Sequence, residues 1–348
     1  MRTKAFVRLL RNLFRVVITI LITINFLAGC VSRRAMFQIK NPYAEVNWTK
    51  HGQYKANLHT HTSAGEADNT PQEVIDRYKE LGYLILALSD HDDDVTSEAT
   101  WPWQAYDREP KALNMVAIQG NEISALDDIG SYFNDYGNPD LQSEEEAIKE
   151  IGRRGGVAVF NHPGRYKKTV EWYVDMYQRY NHLIGLEIYN KRDRYPGDRQ
   201  KWDEILTEAL PERPIWGIAN DDMHKLEEDI GFSWNVIILP ELTSDLVRQA
   251  LEKGCFFFVH SPKGQNSKPV PIIKAITVDE RSGILKIKAS GYEKIIWVSQ
   301  GNIVHQGNQL NLIDLPDVQK FVRAEVHGPD STVIGTQPFT ILRPEYKK

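Results

Sequence analysis

The chain has 348 residues, 41% hydrophobic and 26% charged, with a formal net charge of −5. This composition can bury a sizeable core, excludes a disordered polymer, and is long enough for one large domain plus a smaller one. An acidic balance lacks the basic stripe that neutralises phosphates, which argues against a nucleic-acid partner. With Cys30 and Cys255 the only cysteines, a disulfide framework is excluded as well.

Taken in chain order, Arg2, Lys4, Arg8, Arg11 and Arg15 precede an uncharged apolar run over 16–28. That is the layout of an export signal and is short for a membrane span. The run ends in Leu27-Ala28-Gly29-Cys30, which resembles the lipobox of bacterial lipoproteins. The resemblance implies removal of residues 1–29 and lipid attachment to Cys30. It places the protein in the bacterial cell envelope, on the periplasmic face or at the outer membrane, with a membrane contact through the anchor. An uncleaved signal anchor is the rival, disfavoured because Ala28-Gly29 falls where a peptidase cuts. The segment holds five basic and no acidic residues, so the rest of the chain stands at −10. Residues 30–50 show no clear periodicity and read as a tether.

From there apolar strand-like runs alternate with amphipathic stretches. Strands are expected over 54–58, 83–88, 115–119, 157–160, 183–188, 215–219 and 236–239. Helices are expected over 71–81, 144–154, 198–210 and 244–253. Thr70 caps the first of these, followed by Pro71 and Glu73. Such alternation is the pattern of parallel strands joined by crossover helices, and seven strands are enough to curl into a barrel. Cys255 sits in the apolar run 254–259 and reads as a buried small hydrophobe.

His59 and His61 end the first strand. One residue apart on a strand, they point the same way and can share a metal ion. Asp90-His91, Glu122, His162 and Asp222-Met223-His224 each fall just past a later strand. In parallel α/β architectures that rim is where sites are built.

In order, His59-Thr60-His61, Ser89-Asp90-His91-Asp92, Gly120-Asn121-Glu122, His162-Pro163-Gly164 and Asp222-Met223-His224 resemble the motifs of the polymerase and histidinol phosphatase (PHP) superfamily. The resemblance implies a distorted (β/α)₇ barrel over 51–262 and two or three divalent metal ions. It assigns His59, His61, Glu122 and Asp222 to one position, with Glu122 bridging to a second that includes His162. His91 and His224 would hold a third with Asp68, for which Glu66 is a rival, while Asp90 would orient a histidine. Many members carry another histidine soon after the glutamate. Residues 125–134 have none, leaving Asp127, Asp128 or a water to substitute.

Imidazole and carboxylate donors without thiolate suit Zn, Mn or Fe. Ions sharing a carboxylate make hydroxide available near neutral pH and polarise a substrate oxygen. His91, Asp92 or Asp93 could protonate a leaving group. Arg165, and more weakly Lys191, Arg192 and Arg194, could grip a phosphate. His51, His182, His260, His305 and His327 lack partner motifs and read as packing or surface residues. Short β-type runs over 272–278, 284–289, 294–299, 321–326 and 337–342 read as a small all-β, sandwich-like domain spanning 269–345. The expected activity is hydrolysis of a small phosphorylated substrate. Hydrolysis of a carbamate, amide or carboxylic ester, or metal-containing binding without catalysis, are the alternatives.

Overall fold

The computed structural model describes residues 37–94 and 100–343, so the export segment and Cys30 lie outside it. Strand β1 (Gln38–Lys40) is followed by β2 (Gly52–Asn57), helix α1 (Pro71–Glu80), β3 (Tyr83–Ala87), β4 (Val116–Ile118), β5 (Gly120–Ile123) and β6 (Ile129–Tyr132). Then come α2 (Glu144–Arg153), β7 (Val157–Phe160), α3 (Val170–Arg179), β8 (Leu183–Asn190), α4 (Asp198–Ala209) and β9 (Trp216–Asn220). A short α5 (Leu226–Asp229) leads to β10 (Ser233–Leu239), α6 (Ser244–Lys253) and β11 (Phe256–His260). The remainder is β: β12 (Ile272–Asp279), β13 (Ile284–Ser290), β14 (Lys294–Ser299), β15 (Asn302–Gln306), β16 (Gln309–Asn311), β17 (Phe321–His327), β18 (Val333–Thr336) and β19 (Phe339–Leu342).

Local chemistry explains the helices. Thr70 and Glu73 form a reciprocal capping box on α1, Pro71 occupies its first turn, and Val74, Ile75 and Tyr78 make its buried face. Ser143 caps α2, whose first turn carries three glutamates at the positive end of the helix dipole. Helix α3, which the sequence pattern did not suggest, is capped by Thr169 and buries Tyr173, Met176 and Tyr177.

Strands β2, β3 and β4 run parallel, and β10 lies antiparallel to β2. A second sheet holds β5 to β9, with β5–β6 and β6–β7 antiparallel and β7–β8–β9 parallel. Among the described residues the ladders do not close into a barrel; they form an eleven-stranded, a five-stranded and a three-stranded sheet. The physical reason lies in β10, whose two edges are taken by β2 and β11, leaving no backbone groups for β9. Side-chain amides fill that gap. Asn235 accepts from Ala219 N at 3.1 Å and donates to Ala219 O at 2.7 Å, while Gln337 makes the same pair with Gly217 at 2.9 and 2.8 Å. On the other side β4 turns into β5 at Gly120, where an added Cβ would lie 2.2 Å from Ser131 O.

Further contacts place the C-terminal strands and the segment before residue 51. The C-terminal strands do not stack only on one another: β18 pairs with β11, β17 with β18, and only β12–β13–β16 form a separate sheet. Arg323 on β17 is buried against Asp203 of α4, with N–O distances of 2.9 and 3.0 Å. The expected tether also has structure from residue 37 onward. Strand β1 pairs with β19, Phe37 and Ile39 are buried, and the Tyr43 hydroxyl accepts from Gln337 N and donates to Phe256 O. The alternation Phe37-Gln38-Ile39-Lys40 is the sequence signal for this strand, too short to stand out.

Candidate metal centre

The ends of the strands meet because two isolated parallel bridges tie them together, Thr60 to Met223 and His91 to Glu122. The first sets His61 N on Met223 O at 2.8 Å, which brings the His-x-His pair against Asp222 and His224. His59 Nε2 and His61 Nε2 lie 3.0 Å apart. Each is within 3.5 Å of both Glu122 Oε2 and Asp222 Oδ1. Glu122 turns its other oxygen to His162 Nε2 at 3.3 Å and to Asn161 Nδ2 at 2.8 Å. All five residues are buried.

Asp128 completes a second group with Glu122 and His162, its Oδ2 3.6 Å from His162 Nε2. Of the two carboxylates expected to substitute for a histidine, Asp128 is the one in this group. Asp127 belongs to no such group among the described residues. An outer group is formed by Glu66, 2.7 Å from His224 Nε2 and 3.8 Å from His91 Nε2, with His91 Nε2 3.0 Å from Glu122 Oε2. Asp94 joins Glu66 and His91 in this group.

Three predicted residues fall elsewhere. Asp68 is exposed and faces Lys225 at 3.8 Å, so Glu66 takes the place expected for it. Asp90 orients no histidine: its carboxylate accepts from Thr62 N, Thr62 Oγ1 and Thr100 Oγ1, pinning the loop after His61. Asp92 accepts from Ser124 N at 3.0 Å and Asn138 N at 2.7 Å, which commits both oxygens to backbone and removes it as a proton donor. Asp93 is also drawn to Ser124, at 3.4 Å. Arg165 is half exposed and donates to Asp128 Oδ2 at 2.9 Å, where the Tyr166 hydroxyl also donates. Lys191 Nζ comes within 4.0 Å of Asp222 Oδ2; Arg192 instead lies over Phe232 and Arg194 over Tyr195.

Glu187 escapes a reading of the sequence because it stands inside an apolar strand rather than after one. It is fully buried and accepts from His59 Nδ1 at 2.9 Å. A charged residue in the otherwise uncharged run 183–190 is the available signal.

Backbone strain concentrates in the same region. His162, Lys191 and Asp222 adopt positive φ of 27°, 52° and 45°, conformations that side-chain-bearing residues keep only where their surroundings enforce them.

The electrostatics ask for positive charge. Burial opposes protonation of His59, yet Glu122, Glu187 and Asp222 raise its pKa well above the usual value. His91 is pushed up to about 9, burial being outweighed by Glu122 and Glu66. Burial opposes ionisation of Glu122 and Asp222, but the surrounding imidazoles hold both carboxyls below their usual range. Burial and the charge on Glu122 push Asp128 up to about 6. Buried carboxylates lined by imidazole nitrogens, with Lys191 as the nearby cation, are a donor set that a divalent ion fits.

No family model and no curated protein matches the sequence. Solved structures do. A two-domain protein from Bacteroides vulgatus, containing a predicted PHP-like metal-dependent phosphoesterase, covers 85% of this chain and 89% of its own, at 13% identity and a TM-score of 0.53. A proposed metal-dependent phosphoesterase from Bifidobacterium adolescentis covers 57% of this chain and 96% of its own, at 17% identity and a TM-score of 0.40. An amidohydrolase from Chromobacterium violaceum, with bound sulfate and no metal, covers 57% and 96% at 16% identity and a TM-score of 0.39. The mixed α/β fold described above is therefore similar to that of the two-domain, PHP-like Bacteroides protein.

Proposed function

We propose that the protein is a metal-dependent phosphoesterase of PHP type that hydrolyses small phosphate esters. The observation that carries the reading is the convergence of His59 Nε2, His61 Nε2, Glu122 Oε2 and Asp222 Oδ1, with Glu122 Oε1 turned toward His162. His59, His61, Glu122 and Asp222 would hold one divalent ion, and Glu122, Asp128 and His162 a second. When bound, Zn, Mn or Fe there supplies Lewis acidity toward a substrate oxygen and toward water.

The chain's own groups do the rest. Asp128 anchors one arm of Arg165, and the guanidinium's remaining donors match phosphoryl oxygens. Lys191, 4.0 Å from Asp222 Oδ2, adds a second cation. The rings of Tyr166 and Tyr195 lie 6.2 and 6.0 Å from that of His162, centroid to centroid, and His162 is buried. His91 is partly exposed at the outer group, placed to hand a proton from Nε2 to a departing oxygen. The apolar run before Cys30 supports a lipid anchor and a non-cytoplasmic location in the envelope.

The test uses the full chain, produced in a bacterial host with labelled palmitate, stripped with chelator and reloaded with each ion. It is assayed on p-nitrophenyl phosphate, bis-p-nitrophenyl phosphate and p-nitrophenyl acetate. Expected are ion-dependent turnover of phosphate esters, lost in Glu122→Gln, and a palmitate label lost in Cys30→Ser. Turnover of the acetate alone, or of nothing with any ion, overturns the phosphoesterase reading; an unlabelled chain overturns the anchor.

A further inference from the structure

We propose that Glu187 is a positioning residue that presents His59 and His162 to two adjacent metal positions at once. The inference rests on the metal-centre reading above. Strand β8 is buried along its whole length, and an ionised carboxylate within it is tolerated only if its oxygens are fully hydrogen-bonded. They are. Oε1 accepts from His59 Nδ1 at 2.9 Å and Asn220 Nδ2 at 2.8 Å, and Oε2 accepts from His162 N at 2.9 Å and Asn190 Nδ2 at 3.0 Å.

The orientation of Asn220 is not free, because its Oδ1 accepts from Leu58 N at 2.9 Å and so turns the amide nitrogen toward Glu187. With His59 donating from Nδ1, the neutral ring that a metal ion takes presents its lone pair on Nε2, facing His61, Glu122 and Asp222. Through Oε2 the same carboxylate holds the main chain of His162 in its positive-φ conformation, which aims Nε2 at Glu122 and Asp128. Glu187 lies close enough to His59 and His162 to be taken for a ligand itself. Its oxygens are already engaged by two donors each, so it acts from behind them.

Glu187→Gln keeps the shape but turns an amide NH₂ toward one of the two donor pairs, breaking either the His59 or the His162 contact. Zn²⁺ affinity of the full chain is measured by competition with a fluorescent chelator, and the imidazole ¹⁵N spectrum reports the His59 tautomer. The expected result is binding weakened about 10–100-fold, with loss of the native Nδ1-protonated signal where the amide nitrogen meets His59. Leu285→Ala, in the buried core of the separate three-stranded sheet, serves as a destabilised control that keeps native affinity. Affinity in Glu187→Gln within threefold of native, or reduced no further than in Leu285→Ala, overturns the assignment. Should the glutamine variant not fold, the spectrum of the Zn²⁺-loaded native chain decides: a proton on His59 Nδ1 supports the proposal and one on Nε2 refutes it. A native chain that takes up no Zn²⁺, Mn²⁺ or Fe²⁺ removes the proposed function and this inference together. Native uptake with an unchanged variant removes only the role of Glu187.

Discussion

Replacing Asn235 with leucine keeps the branched heavy-atom shape of the side chain and removes the amide that spans the gap between β9 and β10. In the native chain this amide pairs with both Ala219 N and Ala219 O and also donates to Asn220 Oδ1 at 3.2 Å. Strand β10 has no backbone edge to offer instead, since β2 and β11 occupy both. Leucine therefore leaves a buried N–H and a buried C=O unpaired, at about 1–3 kcal/mol each. The expected loss is about 2–6 kcal/mol, a large part of a total that for folded domains is on the order of 5–15 kcal/mol. Urea unfolding followed by tryptophan fluorescence measures it as a lower midpoint at unchanged slope. A loss below about 1 kcal/mol would show that the amide does not stand in for the missing ladder. The two sheets would then have to be joined by other contacts.

Two further outcomes are expected. Arg323→Met leaves the buried carboxylates of Asp203 and Glu325 without their main cation and should cost about 3–5 kcal/mol in the same assay; a change under about 1 kcal/mol would mean that β17 and α4 are not coupled through this pair. Burial against Tyr189 and Ser233 pushes His260 down to about 4, below its ordinary value of 6.5. A depressed folded pKa means that the unfolded chain takes up the proton first. The contribution of His260 is therefore present above pH 6.5 and is lost as pH falls toward 4, with a ceiling of about 3 kcal/mol. His260→Gln should flatten the stability profile across that window, and parallel profiles for the two proteins would contradict the assignment.

Much of the site was legible because its residues directly follow apolar strands. His59, His61, Glu122, His162, Asp222 and His224 could be placed on one rim from strand ends alone, and the structure brings them together. Carboxylates in loops were less legible. Asp68, Asp90 and Asp92 look like site residues in sequence, as Glu66 and Asp128 do, and what separates them is which donors the folded loops put in reach. Thr62 and Thr100 claim Asp90, Ser124 and Asn138 claim Asp92, and His224 meets Glu66.

By itself, the sequence determined the alternation of strands and helices, the cap of α1, and the chemistry of the donor set. These depend on periodicity and on side chains acting within a few residues of one another. Only the tertiary structure decided that β11 pairs with β10, that β18 extends the sheet from β11, and that Asn235 and Gln337 bridge the remaining gap. It alone placed Glu187 behind two histidines. Those contacts join residues far apart in the chain, and which backbone edge or buried lone pair is left over is known only once every other strand has been paired.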